Sequence, residues 1–136
     1  MVKINKKTFT QTVEQYIKTG TTQAKEQVWS YINSMPALYF VQCGRQSCPV
    51  PWIMFEDDQP IAMVFTNPEL ALQVAKAVLN EEESIRVVGL PTNAASMYVT
   101  AIAGQGVQKV CFNHGPSRFD ASMDEVMFSL NSLTRF

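Results

Sequence analysis

Val64-Phe65-Thr66-Asn67-Pro68-Glu69-Leu70-Ala71 holds a strand end and a helix start in one short run. Val64 and Phe65 close an apolar segment suited to a buried strand. Thr66 and Glu69 are spaced as a capping box, while Asn67 before Pro68 serves equally well as an N-cap followed by proline in the first turn. Both readings start a helix at the same place. Upstream, Trp52-Ile53-Met54-Phe55 and Ile61-Ala62-Met63-Val64-Phe65 flank Glu56-Asp57-Asp58-Gln59-Pro60, whose acidic residues and proline suit a turn, so a hairpin is expected. Downstream, Leu70, Ala71, Val74, Ala75 and Val78 form one apolar stripe, and Asn80-Glu81-Glu82-Glu83 closes the helix.

The same reading extends outward in both directions. Phe9, Val13, Tyr16 and Ile17 recur at helical spacing, as do Ala24, Val28, Tyr31, Ile32 and Met35, with Thr19-Gly20-Thr21-Thr22 between them. The chain therefore opens with a helical pair. Pro36 ends the pair, and Ala37-Leu38-Tyr39-Phe40-Val41 follows as a continuous apolar strand. Ile85 to Val88 is the next strand, and Gly89-Leu90-Pro91-Thr92 turns it into a helix over Asn93 to Ala103. Apolar positions go most of the way round that helix, so it is expected to be deeply packed. Gly104-Gln105-Gly106 stops it, Val107 to Phe112 is a strand, and Arg118 to Ala121 can add a short one. Ser122 with Glu125 makes a second capping box before Val126, Met127, Leu130 and Leu133. A hairpin pairs antiparallel, whereas crossover helices favour parallel strands. The expectation is a single α+β domain over residues 1–136, a mixed sheet of about five strands with flanking helices and the N-terminal helical pair; α/β ranks second.

At 136 residues, 46% apolar and 17% charged, the chain can bury one core and is no disordered tail. Its net charge of -1 lacks the electrostatic attraction that phosphate backbones offer to basic proteins, so nucleic acid is not an expected partner. No apolar run reaches the length of a membrane span and the first ten residues lack a signal-peptide core, which points to a cytoplasmic protein with no membrane partner. Three cysteines in such a chain suggest free thiols or metal ligands before disulfides.

Leu38-Tyr39-Phe40-Val41, the hairpin ending in Val64-Phe65-Thr66, the helix opening Pro68-Glu69-Leu70-Ala71, the Gly89-Leu90-Pro91 turn and Val110-Cys111-Phe112-Asn113-His114-Gly115 together resemble the SseB-like domain family of bacterial proteins, over roughly Ala37 to Val126. The chain has Asn113-His114-Gly115-Pro116 where that family pattern suggests Asn-Pro-Gly. The resemblance implies a compact α+β domain without an established catalytic apparatus, and it supplies no active-site residues.

The rare ligand-bearing side chains are Cys43, Cys48, Cys111 and His114. Cys43 and Cys48 bracket one short loop and Cys111 and His114 another, so a Cys3His zinc site is one reading. It requires the strand before Cys43 and the strand holding Cys111 to be parallel neighbours; antiparallel strands would set the pairs at opposite ends. A thiol enzyme with Cys111 as nucleophile and His114 as base is another, although no oxyanion-hole motif accompanies it. Against both stands the plain role of a buried cysteine as a small apolar residue. Glu56-Asp57-Asp58 lacks the spaced ligands of a calcium loop and reads as a solvated turn. Gly104-Gln105-Gly106 follows a helix where a phosphate loop should precede one. No catalytic residue, cofactor or metal is therefore favoured. The leading expectation is a non-catalytic domain binding a protein partner or a small ligand, with homodimerisation as the simplest partner; the alternative is a zinc-binding domain or thiol enzyme.

Overall fold

The structure, a computed structural model, describes residues 8–44, 50–79, 84–115 and 118–131. Helices α1 (Phe9–Thr19) and α2 (Thr22–Ser34) form the opening pair. Thr8 and Gln11 cap α1 reciprocally: the Gln11 N–H donates to Thr8 Oγ1 at 3.1 Å, and the Thr8 N–H donates to Gln11 Oε1 at 2.9 Å. Gly20, at φ 64°, closes α1 in the left-handed conformation that glycine adopts without a Cβ clash. Helix α3 (Pro68–Val78) settles the question left open at the junction. Asn67 is its cap, with Oδ1 accepting from the N–H groups of Glu69 and Leu70 at 2.8 and 3.1 Å. Thr66 is engaged by Asn113 instead.

The strands are β1 (Leu38–Gly44), β2 (Val50–Pro51), β3 (Ile53–Glu56), β4 (Gln59–Val64), β5 (Ser84–Leu90), β6 (Lys109–Phe112) and β7 (Phe119–Ser122). They sort into a three-stranded sheet, β2-β1-β5, and a four-stranded sheet, β3-β4-β6-β7, where the sequence suggested one sheet of five. The α+β class holds. The expected hairpin is β3–β4, and Asp57 and Asp58 form its tip at φ 51° and 65°, the positive pair that a two-residue turn matched to strand twist requires. β4 and β6 are parallel, whereas β1–β5, β1–β2 and β6–β7 are antiparallel. Beyond β4, Phe65 exchanges two backbone hydrogen bonds with Tyr39 of β1, at 2.7 and 2.8 Å. That pair joins the sheets into one layer, in which β2 lies along β1 and, after buried Trp52, β3 runs along β4.

Both sheets share the same two faces. Leu38, Phe40, Ala62, Val64, Val110, Phe112, Phe119 and Ala121 pack on one, against α1, α2, α4 (Thr92–Ala103) and α5 (Met123–Asn131). Val41, Ile61, Met63, Phe65 and Cys111 pack on the other, with Ala71 and Ala75 of α3. Strand β5 runs further than the sequence suggested, because Gly89 is not a turn residue: a Cβ there would lie 2.8 Å from the Tyr39 ring, so the strand needs glycine opposite that tyrosine. Helix α4 is not buried all round, since Met97 is 74% exposed; nor does Ile17 join the core of α1. Among the described residues, no helix is long and apolar enough to cross a membrane.

The second expected capping box forms by half. Ser122 Oγ accepts from the Glu125 N–H, but the Glu125 carboxylate turns away to α2, where it accepts from Trp29 Nε1 at 2.7 Å and meets Lys25 Nζ at 2.7 Å. Trp29 packs edge-on against Phe112 and Phe119, so this bond satisfies the polar atom of a core aromatic. Glu125→Ala strands that indole N–H and is expected to cost about 1–3 kcal/mol in denaturant unfolding, whereas Lys25→Ala, which removes one half-exposed charge, should cost under about 1 kcal/mol.

Candidate functional site

Two parallel strands, β4 and β6, end side by side, and one side chain ties their ends. Asn113 sits just past β6 at φ 54°, with its N–H donating to Val64 O at 2.9 Å. Its side chain bonds Thr66 twice: Oδ1 accepts from the Thr66 N–H and Nδ2 donates to Thr66 Oγ1, both at 2.9 Å. Thr66 is thereby taken out of helix capping and held to β6. Asn113→Gly keeps the backbone conformation and loses these bonds, at an expected cost of about 1–3 kcal/mol. Asn113→Ala should lose about 1 kcal/mol more, because alanine also pays for the left-handed conformation. Equal losses in the two variants would show that the backbone there carries no strain.

Three of the four ion pairs among the described residues lie on the Cys111 face of the four-stranded sheet. The register sets Met63, Cys111 and Asp120 side by side and puts Lys109 beside Ile61. Arg118, immediately before β7, reaches across β6 and β4 to Glu56 at the end of β3, a span of about 14 Å between outer strands. The contact is a fork: Nη1 donates to Oε2 at 2.7 Å and Nη2 to Oε1 at 3.1 Å. Arg118 Nε donates to Asp120 at 2.9 Å, and Lys109 Nζ lies 3.6 Å from the same carboxylate. Nη1 is also 3.4 Å from His114 Nδ1, a contact in which the guanidinium can only donate. The hydrogen bonds from Arg118 hold the Glu56 carboxyl below its usual value, and those to Glu56 raise the Arg118 guanidinium further above its own. Burial pushes the Cys111 thiol up to about 12, outweighing the lowering effect of Arg118.

These positions answer the sequence reading residue by residue. Cys43 lies within β1 rather than after it, in the partly buried surround of the Cys111 face. β1 is antiparallel to β4 at the Tyr39–Phe65 pair, and β4 is parallel to β6, so β1 runs opposite to the strand that carries Cys111. The two strands are also not neighbours. Cys48 lies outside the described residues. Among the described residues, no group of Cys, His, Asp and Glu is arranged to hold a metal ion. His114 contacts Arg118, and Cys111 is completely buried with its thiol held protonated at neutral pH, so Cys111 itself does not present a thiolate nucleophile. The acidic turn divides: Asp57 and Asp58 are exposed at the tip, while Glu56 is engaged by Arg118. Sequence does not mark Glu56 and Arg118 as a pair, because 62 residues separate them and no local pattern links them.

No protein-family model matches this chain, and no curated protein matches it.

A second feature lies between α2 and α5, an open groove of about 490 Å³ lined by Trp29, Ser30, Asn33, Phe128 and Ser129. Phe128 stands 67% exposed at its side. Asn33 Nδ2 donates to the Ser129 carbonyl at 3.2 Å, while Asn33 Oδ1 is buried without a hydrogen-bond partner among the described residues.

The ion-pair cluster has a pH signature. Glu56 is held below its usual 4.5, so its stabilising contribution is present above that pH and is lost as pH falls through the lower, folded-state value. Unfolding curves of wild type and Glu56→Gln should therefore differ at neutral pH and converge in acid. For Cys111, native protein treated with iodoacetamide at neutral pH should stay unmodified at this thiol and react on unfolding; rapid native modification would overturn its assignment as a buried structural residue.

Proposed function

We propose that this chain is a non-catalytic binding domain, and that the groove between α2 and α5 receives a protein side chain or small ligand that presents an N–H or O–H donor beside an apolar group. The observation that carries this reading is Asn33 Oδ1, a buried acceptor with no partner among the described residues, next to exposed Phe128. An unpaired buried acceptor costs about 1–3 kcal/mol, which a ligand donor would recover once the Asn33 amide turns its Oδ1 toward the groove. Trp29 and Phe128 supply the apolar surface beside it. The charged cluster over Cys111 argues for the same class of function: Arg118 is committed to Glu56 and Asp120, and the thiol is protonated, so neither is free to act on a substrate.

Acetanilide, which carries an amide N–H on a phenyl ring, is a suitable probe. Titrated into isotope-labelled protein, it should give saturable chemical-shift changes at Ser30, Asn33, Phe128 and Ser129, weakened by Phe128→Ala. Absence of saturable shifts at these residues, or saturation unchanged in Phe128→Ala, would overturn the groove as a binding site.

A further inference from the structure

Each sheet has strands at its margins, and most of them are blunted in the ways that soluble proteins use. β3 and β7 are only four residues long and carry Glu56 and Asp120, respectively. β5 is different. It runs for seven residues, Ser84-Ile85-Arg86-Val87-Val88-Gly89-Leu90, with one charge and no proline. Among the described residues it pairs with β1 on one side and has no neighbouring strand on the other.

The direction of its outer backbone groups follows from the bonds that β1 makes on its far side. Tyr39 exchanges both its backbone bonds with Phe65, and the Val41 carbonyl accepts from Trp52, so both residues point away from β5. N–H and C=O alternate in direction along a strand; Leu38, Phe40 and Gln42 therefore point toward β5 and bond Leu90, Val88 and Arg86. Ile85, Val87 and Gly89 must then direct their N–H and C=O groups outward. No described residue bonds them. Gly89 is exposed, and since it has no side chain, that exposure belongs to the backbone itself.

We infer that the outer edge of β5 pairs antiparallel with β5 of a second copy of this chain, making one continuous sheet across a two-fold axis at Val87. This goes beyond the binding function proposed above and uses a different surface. The occupant is argued from self-complementarity. With Val87 opposite Val87, Ile85 meets Gly89 of the other copy, so every outward donor and acceptor finds a mate. Arg86 then faces Val88 of the other copy. Sliding the register one pair in either direction leaves Ile85 or Gly89 unmatched at the edge, and one of those slides places Arg86 directly opposite Arg86, a like-charge pair that destabilises a ladder. Only the central register satisfies both the hydrogen bonds and the charges.

Sedimentation of the full chain across the micromolar range should show a species of twice 15.3 kDa that dissociates on dilution. Val87→Pro removes an outward N–H without removing a bond to β1, and is expected to sediment as a monomer with an unchanged circular dichroism spectrum. Native hydrogen exchange reads the same edge without mutation: in the dimer the amides of Ile85 and Val87 should be protected like those of Arg86 and Val88, and should lose that protection on dilution. A wild-type monomer at every concentration, a dimer that persists in folded Val87→Pro, or outward amides that exchange fast at all concentrations would each overturn the inference.

Discussion

The backbone pair between Tyr39 and Phe65 is the contact on which the rest of this molecule depends. Without it the three-stranded and four-stranded sheets would be separate ladders, each with one more unpaired edge. With it, Val41 and Phe65 share a face with Met63 and Cys111, and a single helix, α3, can cover that face using small residues, Ala71 and Ala75. Backbone groups buried in this layer must be paired, and the join does so at the place where β4 gives way to α3. The Tyr39 ring beside the join then demands glycine at position 89 on the neighbouring strand.

Thr66 and Asn113 extend the same junction to β6. Phe65 is bound to β1 on one side, while Val64 and Thr66 are bound by Asn113 on the other. The adjacent Asn67 opens α3, so a run of four residues serves three elements of structure in succession. Each residue has one backbone direction and one side-chain task, and this division of labour explains why either Thr66 or Asn67 looks suited to capping in isolation. Asn113 claims the Thr66 hydroxyl, which leaves the cap to Asn67.

Charge is used in this protein to close surfaces. Arg118 lies over the sheet face above Cys111 and reaches Glu56 on the far strand, so the polar end of that face is neutralised by residues of the same chain. A buried thiol below such a bridge is held in its neutral form. The groove at α2 and α5 has the opposite character, with an exposed aromatic ring and an unpaired acceptor, and the outer edge of β5 presents backbone groups with no pairing strand. Among the described residues, both surfaces have hydrogen-bonding capacity to offer.

The sequence by itself determined the helical pair, the hairpin, the helix after Phe65 and the stop at Gly104, because each is set by apolar period, capping chemistry or turn residues within a few positions; the short strand near Arg118 was open in the sequence and formed by pairing with β6. It also determined that the domain is α+β. The tertiary structure decided how many sheets form, since the backbone bond from Tyr39 to Phe65 leaves no trace in local pattern. It made Gly89 a strand residue through a ring on the neighbouring strand, and it turned Glu125 from its capping box to Trp29. It also decided which polar residues meet: Cys43 and Cys111, conspicuous as rare residue types, are carried on strands that run in opposite directions, whereas Glu56 and Arg118 come together only because β3 and β7 border the same four-stranded sheet. Local chemistry writes elements into a chain; long-range pairing, which depends on strand order and direction, selects the neighbours.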